Sequence, residues 1–171
     1  GDDVKPFTVS AWVNHDTASS SDHIISFGNS NRRLYVDSSN KVVFEVEGST
    51  DGFVKSTALS PTSGQWFHIV ASYDGSDPAG AAPATETAMK IYIAGVLDNE
   101  ESTTALNGTT AIAGAEARIG SRFDDTQFWD GYICDVAIWD KELSAAEVLE
   151  IYGGGLRVNL TKTAPGSTNL L

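Results

Sequence analysis

The sequence predicts an all-β protein, a two-sheet antiparallel jelly-roll sandwich that carries one short C-terminal helix. Segments in which apolar and polar residues alternate recur along the chain, and turn-forming residues separate them. Many short strands joined by turns are typical of sandwiches and jelly rolls. The chain has 171 residues, enough for one domain with a sizeable core.

The first strands are predicted where this alternation is clearest. They are Phe7–Val13, His23–Phe27, Arg33–Val36, Val42–Glu47 and Phe53–Leu59. The turn residues 37–41 predict a hairpin between the third and fourth of these strands. The next strands are predicted at Gln65–Tyr73, Lys90–Leu97 and Ala117–Gly120. Residues 74–87 are rich in Gly, Ala, Pro and Ser, which predicts a long exposed loop.

The closing segment, Phe128–Tyr152, predicts a strand followed by the helix. Simple alternation places two sets of side chains on opposite faces of the strand: Tyr132, Cys134, Val136 and Ile138 on one face, and Ile133, Asp135, Ala137 and Trp139 on the other. Ser144 and Glu147 form an S-x-x-E capping box, so the helix is expected to begin at Ser144. The glycines 153–155 are expected to end it.

Composition excludes two classes of partner. The formal net charge is −12, from 11 basic and 23 acidic residues. Nucleic-acid binding needs clustered Lys and Arg, so no nucleic-acid partner is expected. No apolar run approaches the roughly 20 residues of a membrane helix, so no membrane insertion is expected. The single cysteine, Cys134, cannot form an internal disulfide, so the fold depends on packing or on a metal.

Five segments in order resemble one family. They are FTVSAWV at 7–13, GQWFHIVASYDGS at 64–76, KIYIAGVLD at 90–98, ARIGSRFDD at 117–125, and the strand and helix at 128–152. This series resembles the laminin-G-like domains of the concanavalin A-like lectin and glucanase family, over about residues 4–155. We expect a jelly-roll domain at 1–155 and a C-terminal linker at 156–171.

The chain departs from this family pattern in two places, and its tail resembles another group. Ala94 stands where the family usually has Asn or Asp before the turn glycine, Gly95. Only Gly1–Asp3 corresponds to the F-D-G-x-D-D-Y type strand with which members usually begin. The tail 156–171 resembles linkers in structural proteins of marine bacteriophages.

The resemblance implies a lectin-like adhesion module that binds a carbohydrate or a protein partner without catalysis. It implies a place in a larger surface or virion protein, with neighbouring subunits as further partners and an extracellular or virion-surface location. One alternative is a structural decoration module that self-associates on a phage capsid or tail. Another is a glycoside hydrolase that uses Glu45 and Glu47.

Catalysis is the weaker of these interpretations. Retaining glycosidases need two carboxylates about 5–5.5 Å apart. The glucanase branch of the family places them in an E-x-D-x-E strand, whereas Glu45-Val-Glu47 has no third acid in phase. No G-x-S-x-G motif and no Cys/His spacing typical of zinc is present. His68 is expected to be a packed structural residue.

Ligand binding is predicted at aromatic and planar polar side chains in loops and at strand ends, because such side chains stack on sugar rings and bind hydroxyl groups. The predicted residues are Arg122, Asp124, Asp125, Trp129, Arg32 and Tyr35. A second interpretation of Trp129, that it plugs the end of the sandwich, stays open. The tryptophans within strands, Trp12, Trp66 and Trp139, are expected to pack between the sheets.

Calcium is the metal that the resemblance implies. Ca²⁺ takes six to eight oxygen ligands, often from carboxylates. Asp135 is expected to form a structural site with Asp2 and Asp3 if the first and last strands are neighbours. Asp124 and Asp125 are the candidates for an exposed site that bridges to a sugar. The alternatives are that Asp135 caps a turn and that the loop aspartates are merely solvated.

Overall fold

The computed structural model describes residues 5–16, 21–28, 32–59, 64–76, 88–99, 107–109 and 116–153. The strands are β1 Phe7–His15, β2 Asp22–Phe27, β3 Arg32–Val36, β4 Lys41–Val46, β5 Gly48–Thr50, β6 Gly52–Leu59, β7 Trp66–Tyr73, β8 Met89–Ile93, β9 Val96–Leu97, β10 Asn107–Thr109, β11 Ala117–Ile119 and β12 Gly131–Trp139. The helix α1 spans Ala145–Tyr152. Most of the predicted loop, residues 77–87, lies outside the described residues.

Two five-stranded antiparallel sheets form the body of the fold, which confirms the predicted sandwich. The front sheet has the order β11-β2-β3-β4-β6, and the back sheet has the order β12-β1-β7-β8-β9. A two-stranded sheet pairs β10 with β5. No helix within the described ranges is long and apolar enough to cross a membrane.

The core lies between the two sheets because alternate residues of their strands are apolar. The buried residues include Val9, Ala11 and Val13 of β1, Val42, Phe44 and Val46 of β4, and Ile69, Ala71 and Tyr73 of β7. Phe7 joins the sheets through edge-to-face contacts, with ring centroids 6.0 Å from Phe27, 5.7 Å from Phe44 and 6.0 Å from Tyr73. Such aromatic pairs stabilise a core beyond the area that they bury.

Helix α1 packs on the outer face of the back sheet. Its buried residues Val148 and Ile151, together with Leu143, contact Val70 and Tyr92. The predicted capping box is present: the Ser144 hydroxyl accepts from the backbone N–H of Glu147, and the Glu147 carboxylate accepts from the backbone N–H of Ser144. Gly153 ends the helix in the left-handed conformation, with φ 60°. Helix α1 therefore lies on the back sheet and does not pack on the outer side of the front sheet.

A β-bulge in β12 corrects the predicted faces of that strand. The register with β1 shifts between Ser10 and Trp12, and Asp135 there has φ 50°. One inserted residue reverses the alternation beyond it. Ile133 and Val136 therefore both pack against the core, and Trp139 faces α1. The prediction that placed Val136 with Tyr132 and Cys134 was wrong, since alternation alone does not reveal a bulge.

The predicted strand Lys90–Leu97 is two strands joined by a tight turn. Ala94 and Gly95 both have positive φ, 51° and 80°. This is the backbone of a type I′ hairpin turn, in which both central residues are left-handed. Alanine is strained in that conformation because its Cβ crowds the following carbonyl oxygen, whereas asparagine adopts it more readily.

Ala94→Asn is therefore expected to raise the free energy of unfolding by about 0.5–1 kcal/mol, part of the strain that a left-handed alanine carries. Denaturant titration measures the change. Ala117→Asn is the control for the same change of side chain, because Ala117 is exposed at the start of β11 and has no positive φ. If Ala94→Asn is no more stable than Ala117→Asn, strain at this turn does not lower the free energy of unfolding.

Candidate functional site

The outer surface of the front sheet carries two aligned rows of mainly polar and aromatic side chains. Cross-strand pairing places them in register: Arg118, Ser26, Arg33, Glu45 and Phe53 in one row, and His23, Tyr35, Val43 and Lys55 in the next. We call these residues the front face. Strand alternation produces it, because their sequence neighbours Leu34, Phe44 and Val54 point into the core.

Arg33, Tyr35 and Glu45 form a connected network at the centre of the front face. Arg33 Nη2 donates to Glu45 Oε1, and the Tyr35 hydroxyl donates to Glu45 Oε2 over 3.2 Å. Both carboxylate oxygens of Glu45 are thereby engaged. Arg33 Nε is buried and has no hydrogen-bond partner among the described residues. Burial lowers the pKa of Arg33 and raises the pKa of Tyr35.

His23 lies directly beside this network. Its ring stacks on the Tyr35 ring, with centroids 5.1 Å apart and an interplanar angle of 15°. Nδ1 donates to the Ser21 carbonyl over 3.0 Å, and Nε2 is buried without a partner in the described parts of the chain. Burial, reinforced by the positive charges of Arg33 and Arg122, lowers the pKa of His23 to about 4. At neutral pH the ring is uncharged, and Nε2 is an acceptor.

Charged groups at the edges of the front face are balanced by neighbours of opposite charge. Lys55 pairs with Asp37 at 2.8 Å, and its ammonium group lies 5.7 Å from the centre of the Phe53 ring. Arg118 pairs with Asp125 and, at 3.3 Å, with Glu116. The front face thus combines many hydrogen-bonding groups with little net charge. Three of its residues, Ser26, His23 and Val43, are buried.

The structure brings four of the sequence-predicted ligand residues to this surface. Tyr35 belongs to the front face itself. Arg122 and Asp124 lie in the adjacent loop, 3.9 Å apart, and both are close enough to His23 to affect its pKa. Asp125 reaches the front face through its ion pair with Arg118. These residues come from a strand and a loop that are far apart in sequence.

Arg32 and Trp129 lie elsewhere. Arg32 is fully buried on the core side of β3, with its guanidinium carbon 5.9 Å from the centre of the Tyr73 ring. Trp129 is 9% exposed and donates from Nε1 to the Asn14 carbonyl over 3.2 Å. Its ring stacks on His15 at 4.3 Å. This position corresponds to the second interpretation of Trp129, in which it plugs the end of the sandwich.

Sequence reasoning left several front-face residues out of the predicted site. His23 was missed as a ligand group, and Glu45 was considered only as a catalyst. Alternation within each strand was visible in the sequence and could have placed these residues on the outer face. The register that aligns the strands was not visible, because it depends on pairing between distant segments.

The described residues do not bring the predicted calcium ligands together. Asp135 is exposed at the bulge of the edge strand β12, and Asp2 and Asp3 lie outside the described residues. In the described part of the chain, no group of three or more His, Cys, Asp or Glu residues could hold a metal ion. Calcium stays a prediction.

Comparisons with known proteins agree with the fold. Three solved structures resemble 88% of this chain. The first, described as a candidate carbohydrate-binding protein of Bacteroides ovatus, has a TM-score of 0.64 at 15% identity, and the match covers 41% of that chain. The second is domain 4 of an extracellular arabinanase from Geobacillus stearothermophilus in complex with arabinotriose. It has a TM-score of 0.65 at 20% identity, and the match covers 68% of that chain. The third, the binding domain of botulinum neurotoxin serotype G, has a TM-score of 0.60 at 18% identity and is covered to 36%.

At these identities the solved structures show a shared fold. The chain spans less than half the length of the Bacteroides and neurotoxin chains. A search of curated protein sequences gives no significant match. A laminin G family model, described as the concanavalin A-like lectin/glucanases superfamily, matches residues 2–149. The chain therefore belongs to the concanavalin A-like lectin/glucanases superfamily.

Proposed function

We propose that this protein is a non-catalytic carbohydrate-binding module and that the front face is its binding surface. The observation that carries the proposal is the Arg33–Glu45–Tyr35 network beside His23, where Arg33 Nε and His23 Nε2 have no partner among the described residues. Buried polar atoms usually have a hydrogen-bond partner, so two neighbouring exceptions on the outer side of the front sheet favour a ligand there.

The chemistry of the front face suits a neutral saccharide. Arg33 offers planar donors, Glu45 offers acceptors, and neutral His23 offers one further acceptor, a combination that matches adjacent sugar hydroxyls. Tyr35 and Phe53 add aromatic surface for the apolar side of a sugar ring. The ion pairs hold the polar groups in place before binding, which reduces the entropy that binding costs.

The non-catalytic part of the proposal rests on Glu45. Both of its oxygens are occupied by Arg33 and Tyr35, so neither is poised for nucleophilic attack. Glu47 lies beyond the end of β4 rather than beside Glu45 on the same strand. The carbohydrate-binding protein and the neurotoxin binding domain among the similar structures support a binding role, and the arabinanase domain in complex with arabinotriose supports the carbohydrate class.

Arg33→Gln is expected to weaken saccharide binding at least tenfold, or about 1.4 kcal/mol, because it removes the charged donors beside Glu45. A panel of soluble neutral glycans, including arabinan and β-glucan oligosaccharides, identifies the ligand, and calorimetry measures its affinity. Each titration is run with calcium and with a chelator, since calcium is a predicted cofactor. Lys90→Gln is the matched control, because it breaks an ion pair with Glu142 on the back-sheet side of the molecule.

Two results contradict the proposal. The first is wild-type protein that binds no member of the panel, or Arg33→Gln protein that binds as tightly as the Lys90→Gln control. The second is a release of reducing ends from a bound glycan that disappears in Glu45→Gln, which would make the front face catalytic.

A further inference from the structure

A pair of exposed aromatic rings lies on the back sheet, away from the front face. The sequence predicted that Trp66 packs between the sheets, but it points outward from the first position of β7 and is 46% exposed. Tyr132 of β12 is 65% exposed, and the two ring centroids are 6.4 Å apart at 39°. Both residues pair in register with Asn14 of β1, so three neighbouring strands fix the position of the rings.

The exposed pair is the open end of a longer row of rings. The rings of Trp12 and His68, one step further along the same strands, are in contact with centroids 5.2 Å apart and a tilt of 42°. Tyr152 of α1 covers them at 6.0 and 5.7 Å. Helix α1 ends at Tyr152, so Trp66 and Tyr132 continue the row of rings past the part that the helix covers. The exposed rings therefore adjoin a packed cluster of aromatic side chains.

Acidic side chains flank this open end. Asp16 and Asp130 are exposed, and the backbone N–H of Asp16 donates to the Asp130 carbonyl over 2.9 Å. Asp16 directly follows β1 and Asp130 directly precedes β12, so each is two residues from Asn14 or Tyr132. Neither carboxylate forms an ion pair with a described Lys or Arg, and the adjoining segments 17–20 and 60–63 contain no basic residue.

We infer that Trp66, Tyr132, Asp16 and Asp130 form a second binding site, for a sugar ring that carries a protonated amine. Aromatic faces attract both the C–H side of a pyranose and a neighbouring ammonium group. The two carboxylates supply the opposite charge. A neutral sugar would leave the carboxylates unused, and a bare cation would leave most of the aromatic surface unused. The site is independent of the front face.

Chitosan oligomers, which consist of amino sugars with free amines, are the probe, and fully N-acetylated oligomers of the same length are the control ligand. Binding is measured by calorimetry at about pH 5.5, where the sugar amines are protonated and aspartates remain ionised. The ionic strength is about 0.15 M, at which exposed charges more than a Debye length apart are screened. The wild type is expected to bind the amine form at least tenfold more tightly. Trp66→Ala and Tyr132→Ala should each weaken that binding by a similar factor without changing net charge.

Matched variants separate this site from other surfaces. Leu149→Ala removes an exposed apolar side chain from α1 and should bind normally. Arg33→Gln should also bind normally, so failure of the front face does not affect this test. Asp16→Asn with Asp130→Asn should lose the preference for the amine.

Three results would overturn the inference. They are equal affinity for the amine and acetylated oligomers, unchanged binding in both aromatic variants, and equally tight binding of an oligolysine of the same charge. The last result would mean that the surface recognises a cationic peptide or charge alone. Circular dichroism and melting temperature establish whether each variant is folded. Because the two rings are exposed and are substituted separately, at least one folded variant is expected.

Discussion

Trp129→Ala is expected to lower the free energy of unfolding by about 3–5 kcal/mol, the usual cost of truncating a buried tryptophan. The substitution removes a core ring and the hydrogen bond from Nε1 to the Asn14 carbonyl. It also uncovers the buried pair of His15 Nε2 and Asp22 Oδ2, which lie 2.8 Å apart. Chemical denaturation measures the loss.

The neighbouring residue provides the control. Phe128 is 61% exposed, so Phe128→Ala should change the stability by no more than about 0.5 kcal/mol. Trp129→Phe should fall between the two, since it keeps a ring over His15 and loses only the indole N–H. A Trp129→Ala protein as stable as Phe128→Ala would show that Trp129 is not a structural plug.

The contrast between Phe128 and Trp129 shows where the sequence stops being informative. Both aromatic residues precede the predicted strand, and nothing in the local pattern distinguishes a surface ring from a buried one. The difference arises from long-range contacts, because Trp129 meets Asn14 and His15 at the far end of β1. For the same reason, Trp66 was predicted to be packed inside but lies outside.

Features that depend on local chemistry were predictable. The capping box at Ser144 is confirmed, since its partners are three residues apart. Most strands were predicted to within one or two residues at their ends, because alternation and turns mark them. The short strands β5 and β10 were not predicted. The bulge at Asp135 was not predictable, since its cause is the pairing of β12 with β1. The front face has the same limitation, because it exists only once the strand register is set.

His68 makes acid stability a second large and testable effect. The residue is buried between Trp12 and Tyr152, with Nε2 3.4 Å from the Ser10 hydroxyl, and its burial agrees with the predicted packed histidine. Burial lowers its pKa to about 4 from the ordinary value of 6.5. The unfolded chain therefore binds a proton near pH 6.5, whereas the folded protein does so only near pH 4. The stability that neutral His68 confers is fully present above pH 6.5 and is lost as the pH falls toward 4.

From His68 alone, the free energy of unfolding is expected to fall by about 2 kcal/mol between pH 7 and pH 4.5. His68→Gln isolates this contribution, since the carboxylates and His23 titrate in both proteins. The variant should be the less stable protein at pH 7, because it loses the ring contacts with Trp12 and Tyr152. Its deficit should shrink by about 2 kcal/mol at pH 4.5, because glutamine takes up no proton on unfolding. A deficit that is the same at both pH values would mean that His68 is protonated in the folded protein, and that water or a structural change relieves its burial.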